Sequence, residues 1–367
     1  MKFERTAFDA QMMAMALIMA RRGLGRTAPN PSVGAVIAHE TTGEVIARAV
    51  TAPGGRPHAE TQTIAQAGTR ARGATLYVTL EPCSHHGHTG PCADAIIAAG
   101  IKRVVVGIED PDPRVAGRGL DRLRAAGIEV TRGVLAPQAR WITRGHVVRV
   151  TERRPFTTLK MALGADGEIA RGGSGKPAWV TGPLARAHGH LLRAQADAIL
   201  VGAQTVRDDD PELSCRLPGM ADRSPVRVVL SNALDIPLTS KLVASARDRP
   251  LWIATGGGAD KARVHALQKC GAEIVEAPRV GSKLWLPAVM EALVARGITR
   301  LLVEGGPSVW RSFADAALVD EAAVYIAGGE RNLGEAALTA RIGDCALTLY
   351  DSSQLGPDRL WLYRRKG

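Results

Sequence analysis

Four residues do most to limit what this chain can fold into: His58, Glu60, Cys83 and Cys92. One imidazole and two thiols are donors that zinc prefers, and three protein donors leave a fourth position open, as catalytic zinc sites do. His58, Cys83 and Cys92 come from separate stretches, so the fold must bring three segment ends to one point. The local patterns supply such ends. Pro57-His58-Ala-Glu-Thr-Gln-Thr-Ile-Ala-Gln-Ala reads as a helix with proline near its first turn. Residues 74–80 are β-branched and apolar, a strand that delivers Glu81, Pro82 and Cys83 at its C-terminal end. Residues 91–100 read as a second helix, opened by Pro91 and closed by Gly100. A thiol at such a helix start leans toward thiolate, the liganding form. Taken singly, two cysteines and a histidine are ordinary buried residues. Their joint placement at element ends outweighs that reading.

Glu60 is not counted as a ligand. Next but one to His58, it can take a proton from a metal-activated water and pass protons to a departing amine. His-x-Glu with two further thiols is the donor set of zinc-dependent deaminases.

A chain of 367 residues favours two domains over one, and 46% hydrophobic residues are enough for two cores. The first half alternates. A helix is expected over 7–21, then strands at 33–38 and 45–50, the His58 helix, the 74–80 strand, the Cys92 helix, a strand at 103–108, a helix at 120–126 and a strand at 128–134. That is a three-layer α/β domain with a mixed sheet. A helix then runs into the basic stretch Thr151-Glu-Arg-Arg-Pro155, which sets domains of 1–150 and 151–367. In the second half, strands are expected at 156–163, 198–202, 226–230, 251–255, 273–275 and 300–303, with helices at 184–194, 262–270, 286–296 and 308–317. Residues 322–327, 346–350 and 359–363 read as strands joined by Gly-, Asp- and Ser-rich loops, antiparallel strands that close a mainly parallel sheet. No Gly-x-Gly-x-x-Gly turn follows the first strand, so a standard dinucleotide-binding site is not indicated. Gly256-Gly-Gly258 and Glu304-Gly-Gly-Pro307 follow strands and could admit a phosphate, but either one alone is as well explained as a tight turn.

The formal charge is +11, carried by scattered arginines and not by a basic run interleaved with aromatics. This favours a solvated surface first, phosphate-bearing small ligands second and nucleic acid last. No run reaches the ~20 apolar residues of a membrane span. The Met-rich segment 10–20 reads as an amphipathic core helix, not a signal peptide. Five cysteines, two of them in the metal set, give no disulfide framework, so a cytoplasmic setting is expected and Cys215, Cys270 and Cys345 are incidental.

The stretch around the cysteines is Thr79-Leu-Glu-Pro-Cys-Ser-His-His-Gly-His-Thr-Gly-Pro-Cys92, flanked by Pro29-Asn-Pro-Ser-Val-Gly34 and Asp110-Pro-Asp-Pro-Arg-Val-Ala-Gly-Arg-Gly119. The second half carries Leu159-Lys160-Met-Ala, Asp166-Gly167, Trp179-Val-Thr181, Leu192-Arg193-Ala, Asp197-Ala-Ile-Leu-Val-Gly202, Thr205-Val, Asp209-Asp210-Pro211 and Val303-Glu-Gly-Gly-Pro307. Over almost the full length the chain resembles the bifunctional riboflavin-biosynthesis deaminase/reductase family. The resemblance implies a cytidine-deaminase-like three-layer α/β domain followed by a dihydrofolate-reductase-like α/β domain. It implies one Zn2+ per chain and NADPH, a small phosphorylated pyrimidine as substrate, no nucleic-acid or membrane partner, and a homo-oligomer, dimer or tetramer. It also implies two reactions in succession: hydrolysis of the 2-amino group of 2,5-diamino-6-(5-phosphoribosylamino)pyrimidin-4(3H)-one, then reduction of the ribosyl group to ribityl.

By the same resemblance, Asn30 and His85 contact the pyrimidine or ribose phosphate. Lys160 and Glu304 handle protons or orient substrate in the reductase. Arg193 and Arg216 hold the phosphate, with Asp209 and Leu213 beside the substrate. Leu163, Trp179, Thr181, Thr205, Asp209, Ser231, Gly305 and Gly306 line the cofactor. Thr51, His88, Gly90, Gly164 and Pro177 depart from the family's usual residues. Two alternatives stay open: a deaminase acting on nucleic acid, and a monofunctional deaminase with a degenerate second domain.

Overall fold

The computed structural model describes residues 5–85, 90–169, 180–328, 333–343 and 345–365. The chain divides into two compact units, Met1–Arg153 and Arg154–Gly367. The first contains Arg5–Gly23 (α1), Gly34–Ala38 (β1), Val45–Val50 (β2), Ala59–Ala67 (α2), Thr75–Leu80 (β3), Cys92–Ala98 (α3), Arg103–Ile108 (β4), Arg118–Ala125 (α4), Glu129–Arg132 (β5) and Ala136–Glu152 (α5). The expected break after residue 150 falls in the last turn of α5, which runs on to Glu152 and stops where Arg153 takes a left-handed backbone at φ 55°.

The five strands lie in the order β2-β1-β3-β4-β5. β1 pairs antiparallel with β2 and β3, while β3, β4 and β5 run parallel. Every residue of β1, β3 and β4 is buried, so both faces of the sheet are covered and the unit has three layers. α1 supplies a stripe of Phe8, Met12, Met13, Ala16, Leu17 and Ala20, spaced for one helix face and packed into the core as its Met-rich pattern predicts.

The second unit contains Phe156–Leu163 (β6), Pro183–Ala194 (α6), Ala198–Gly202 (β7), Ala203–Asp209 (α7), Val226–Leu230 (β8), Lys241–Ala244 (α8), Leu251–Gly256 (β9), Lys261–Lys269 (α9), Glu273–Ala277 (β10), Arg279–Val280 (β11), Lys283–Leu284 (β12), Leu286–Ala295 (α10), Arg300–Val303 (β13), Pro307–Asp315 (α11), Glu321–Ile326 (β14), Leu333–Ile342 (α12), Leu347–Leu355 (β15) and Asp358–Arg365 (β16). Nine strands form one sheet in the order β10-β9-β8-β7-β13-β6-β14-β16-β15. Alternate residues of a strand serve opposite faces. Ala198 and Leu200 of β7 join the core with Leu159, Met161 and α10, whereas Ile199 and Val201 join a second core with Val229 and Leu267.

Two expectations are corrected. β14 runs parallel to β6, and only β16 opposes the other strands, pairing antiparallel with β14 on one side and β15 on the other. The crossover through α11 returns the chain to the side from which β6 starts. The stretch expected to be loop after residue 327 contains α12, whose Ala337, Leu338 and Ile342 are buried in the core. The short α7, α8 and the β11–β12 hairpin were likewise absent from the sequence pattern. Among the described residues, no helix is long and apolar enough to cross a membrane.

A buried charge cluster ties α1 to the sheet. Arg103, at the start of β4, donates to Asp9 at 2.8 and 2.7 Å and to Glu40 at 2.7 Å, and the Tyr77 hydroxyl donates to Asp9 at 3.1 Å. The side chains of Arg103 and Asp9 are 4% and 6% exposed, so neither can turn to water if the other is lost. Asp9→Ala is expected to lower the unfolding free energy of the first unit by about 3 kcal/mol, read from urea denaturation.

Candidate active sites

β3 hands Glu81, Pro82 and Cys83 to its C-terminal end, His58 caps α2 with extended backbone, and Cys92 is the first residue of α3. His58 Nδ1 lies 3.2 Å from Cys92 Sγ and 3.7 Å from Cys83 Sγ. The three donor atoms all lie within 4.8 Å of one another. The donor set, one nitrogen and two sulfurs on a short triangle, fits zinc, whose bonds run to about 2.0–2.1 Å for nitrogen and about 2.3 Å for sulfur.

Glu60 sits in the first turn of α2, 3% exposed. Burial pushes its carboxyl up to about 7, opposed by the charge of His58. Hydrogen bonding to Cys92, then to His58, pulls the Cys83 thiol down to about 4 against its burial. The hydrogen bond to Cys83, with burial and Glu60, pushes Cys92 up. The Cys92 main-chain N–H also donates to Cys83 Sγ at 3.3 Å.

The strand end that carries Cys83 is held by a residue the sequence pattern did not single out. Glu81 accepts main-chain N–H groups from Asp110 at 3.2 Å, Gly117 at 3.0 Å, Gly119 at 3.0 Å and Leu120 at 3.4 Å. One buried carboxylate thus folds the 110–119 loop back onto β3. Gly119 is required there, since a Cβ would stand 2.1 Å from the Pro82 carbonyl oxygen. Asp110 in turn meets His146 Nε2 at 2.9 Å.

In the second unit, Lys160, Thr181, Arg193, Arg216 and Glu304 line one cavity of about 130 Å3. Glu304 leaves the end of β13, Lys160 lies in β6, and Arg193 is in the last turn of α6. Arg193 grips Glu304 with two bonds of 2.8 Å, and Lys160 Nζ lies 3.6 Å from the same carboxylate. Burial opposes the charge on Glu304, but Arg193 and Lys160 overcome it and hold the carboxyl at about 2. Arg193, expected on phosphate, is committed to Glu304 and to the Ser214 carbonyl at 3.0 Å. His190, Arg186 and Tyr325 also line the cavity and were missed. Tyr325 was legible only as a strand residue, and His190 only by its spacing of three from Arg193.

A second, larger groove of about 610 Å3 is lined by Ser231, Asn232, Trp285, Ser308, Val309 and Ser312 among others. It lies past the C-terminal ends of β8 and β13, where open parallel sheets bind ligands. Asn232 Oδ1 is buried there without a hydrogen-bond partner, which fits a polar ligand such as a nucleotide. Gly305 packs against α11, where a Cβ would stand 2.6 Å from Val309 Cβ, while Gly306 is open on that side.

Other expected site residues lie elsewhere. The Asn30 side chain donates to the Gly55 carbonyl at 2.8 Å, and His85 is exposed on the loop after Cys83. Thr205 and Asp209 are half-buried on α7, outside the linings of both cavities. Leu163 and Leu213 are buried in the two cores. Trp179, Pro177 and His88 fall outside the described residues. Thr51 places its hydroxyl 3.0 Å from the Val33 N–H, within the sheet end. Gly164 opens a turn closed by the Glu168 carbonyl, where a Cβ would press on Asp166. Gly90 has open space around its Cβ position.

Two outcomes follow from these contacts. Glu81→Gln, which replaces one acceptor oxygen with a donor, is expected to weaken zinc retention about 10- to 100-fold, measured by competition with a chromogenic chelator. His190 is pushed down from 6.5 to about 4 by burial and by Arg193 and Arg216, with Glu304 opposing. The unfolded chain therefore takes up this proton first on acidification. Stability of the second unit should fall as pH drops from about 6.5 to about 4, a slope that His190→Asn reduces in denaturation curves.

A family model described as the RibD C-terminal domain matches residues 155–358. One described as the cytidine and deoxycytidylate deaminase zinc-binding region matches residues 6–108. The riboflavin biosynthesis protein RibD of Aquifex aeolicus is 37% identical over 97% of this chain and 98% of its own length. That of Haemophilus influenzae is 36% identical over 99% of each. Among solved structures, Acinetobacter baumannii RibD superposes with a TM-score of 0.83 at 32% identity, covering 99% of this chain and 100% of its own. A Thermotoga maritima protein described as a diaminohydroxyphosphoribosylaminopyrimidine deaminase/5-amino-6-(5-phosphoribosylamino)uracil reductase gives 0.82 at 33% identity, covering 98% and 99%. Both units match along nearly their whole length, and the chain belongs to the RibD family of riboflavin-biosynthesis proteins, with a deaminase and a reductase unit in one polypeptide.

Proposed function

We propose that the first unit hydrolyses the 2-amino group of 2,5-diamino-6-(5-phosphoribosylamino)pyrimidin-4(3H)-one. The second then reduces the ribosyl group of 5-amino-6-(5-phosphoribosylamino)uracil to ribityl. The observation that carries this reading is the meeting of His58, Cys83 and Cys92 beside the buried Glu60. When bound by those three residues, zinc supplies the acidity that makes water a nucleophile near neutral pH. Glu60 takes the proton released at the attack on the ring carbon and delivers it to the departing amine nitrogen. Cys83 and Cys92 are presented by strand and helix ends held together by main-chain bonds, so the donors are preorganised.

In the second unit, NADPH supplies the hydride when bound, with Ser231 and the Gly305-Gly306 turn beside the groove that would take it. Thr181, at the smaller cavity, fits the same ligand's approach to the substrate. The ribose must open toward an imine before hydride can reach C1′, and opening takes a proton from the nitrogen on C1′ and gives one to the ring oxygen. Lys160 is the cavity group suited to give the ring oxygen its proton, and Glu304, kept charged and aimed by Arg193, orients the substrate. Arg216, which lines the cavity and has only a weak solvent-facing partner in Glu212, is suited to meet the substrate phosphate. The five cysteines are free, which supports a reducing, cytoplasmic setting.

The test is a coupled assay on the diaminopyrimidine ribosylamine phosphate, following ammonia release and NADPH oxidation separately. The wild type gives both. Glu60→Gln loses ammonia release by about 10²- to 10⁴-fold and still reduces supplied deaminated intermediate. Ammonia without NADPH oxidation would leave the second unit without the reductase role. No ammonia from zinc-loaded protein would sink the substrate assignment.

A further inference from the structure

His190 stands three residues before Arg193 on α6, and the chemistry above gives it no task. Residues three apart share a helix face, and these two reach the same loop. Arg193 donates to the Ser214 carbonyl at 3.0 Å. The Arg216 main-chain N–H donates to His190 Nδ1 at 3.3 Å, and Cys215 Sγ lies 3.5 Å from the His190 carbonyl, to which it donates. α6 therefore clamps three consecutive residues.

The clamp matters because nothing regular holds this loop. Residues 210–216 belong to no helix or strand, and Leu213 sits in the left-handed region at φ 54°. Buried Leu213 anchors the loop's middle, and side-chain bonds to the main chain of 214–216 set how its end leaves that anchor, and so where the Arg216 guanidinium stands. That guanidinium meets Glu212 at 3.9 Å, a solvent-facing pair of little strength, which leaves it available to an anion. The neighbouring Arg193 already commits three of its five N–H donors, to Glu304 and to the Ser214 carbonyl. Because Nδ1 accepts, the uncharged ring carries its proton on Nε2. Burial and the charges of Arg193 and Arg216 keep it uncharged near neutral pH, so the acceptor persists.

We infer that His190 is a positioning residue of the reductase unit: its Nδ1 holds the Arg216 main chain and thereby sets where Arg216 meets the substrate phosphate. This rests on the reading of Arg216 as the phosphate-binding group.

The experiment compares full-length wild type, His190→Phe and His190→Asn. Phenylalanine keeps a ring without an acceptor. Asparagine loses the ring but places Oδ1 where Nδ1 stands. Binding of ribose 5-phosphate is measured by calorimetry, and KM and kcat are measured for NADPH-dependent reduction of 5-amino-6-(5-phosphoribosylamino)uracil. His190→Phe is expected to weaken ribose 5-phosphate and raise KM by about five- to tenfold, the worth of one hydrogen bond, with kcat within about twofold. His190→Asn is expected to stay within about twofold of wild type in both. Equal losses in the two variants would mean that the ring matters by packing, and would overturn the inference. So would a fall in kcat at unchanged KM, or a wild type that reduces the uracil without binding ribose 5-phosphate. If ribose 5-phosphate binds with the expected dependence on position 190 but the uracil is not reduced, the substrate assignment fails and the role of His190 stands.

Discussion

In both units the chemistry hangs on the pairing of parallel strands, which obliges neighbours to finish at the same edge of the sheet. β3 and β4 pair with Leu80 opposite Ile108, so the chain leaving β3 toward Cys83 runs beside the chain leaving β4 toward Asp110. Glu81 exploits that nearness, and its four main-chain bonds hold the two exits together. β13 pairs with β6 through Val303 opposite Leu159, so the next residues, Glu304 and Lys160, are brought side by side. Neither meeting depends on the loops that follow. The strands are buried on both faces, and a register slip would cost the whole core.

The polar groups set at these edges are buried, so each must find partners or lose its charge. Glu304 finds Arg193 and Lys160 and stays ionised. Glu60 finds less, and burial brings it close to neutrality. Two carboxylates of one chain thus carry opposite tendencies, set by what each is packed against. The arrangement also redistributes work among the arginines. A guanidinium that answers a buried carboxylate in two bonds and a carbonyl in a third has two N–H donors left, so Arg193 is held in place by the protein itself, whereas Arg216 nearer solvent has only a weak partner.

Most of the framework was legible. Strands 103–108, 156–163, 198–202, 226–230 and 300–303 end where their β-branched and apolar runs end, a signal strong enough to survive Lys160 and Arg227 inside them. The metal donors were legible because His58, Cys83 and Cys92 sit beside helix starts and a strand end with their own signals. What stayed hidden was partnership. Arg193 reads the same whether it meets phosphate or Glu304, and Glu81 looks like a neighbour of Cys83 and not like the knot of the 110–119 loop. α12 escaped because its burial depends on contacts with Trp361 and Tyr363, far along the chain, and not on a strong pattern of its own.

The margins of the nine-stranded sheet have a consequence for how the protein shares a crowded solution. Among the described residues it ends in β10 on one side and β15 on the other. β10 shows Glu273 and Glu276 to solvent. β15 shows Asp351, Ser352, Ser353 and Gln354, and its pairing with β16 slips between Leu349 and Asp351. A stray β-strand seeking a template would meet charged glutamates on one margin and a kinked, polar rim on the other. Growth of the sheet by accretion is thereby discouraged at both ends, although its interior is among the most apolar surfaces the chain possesses.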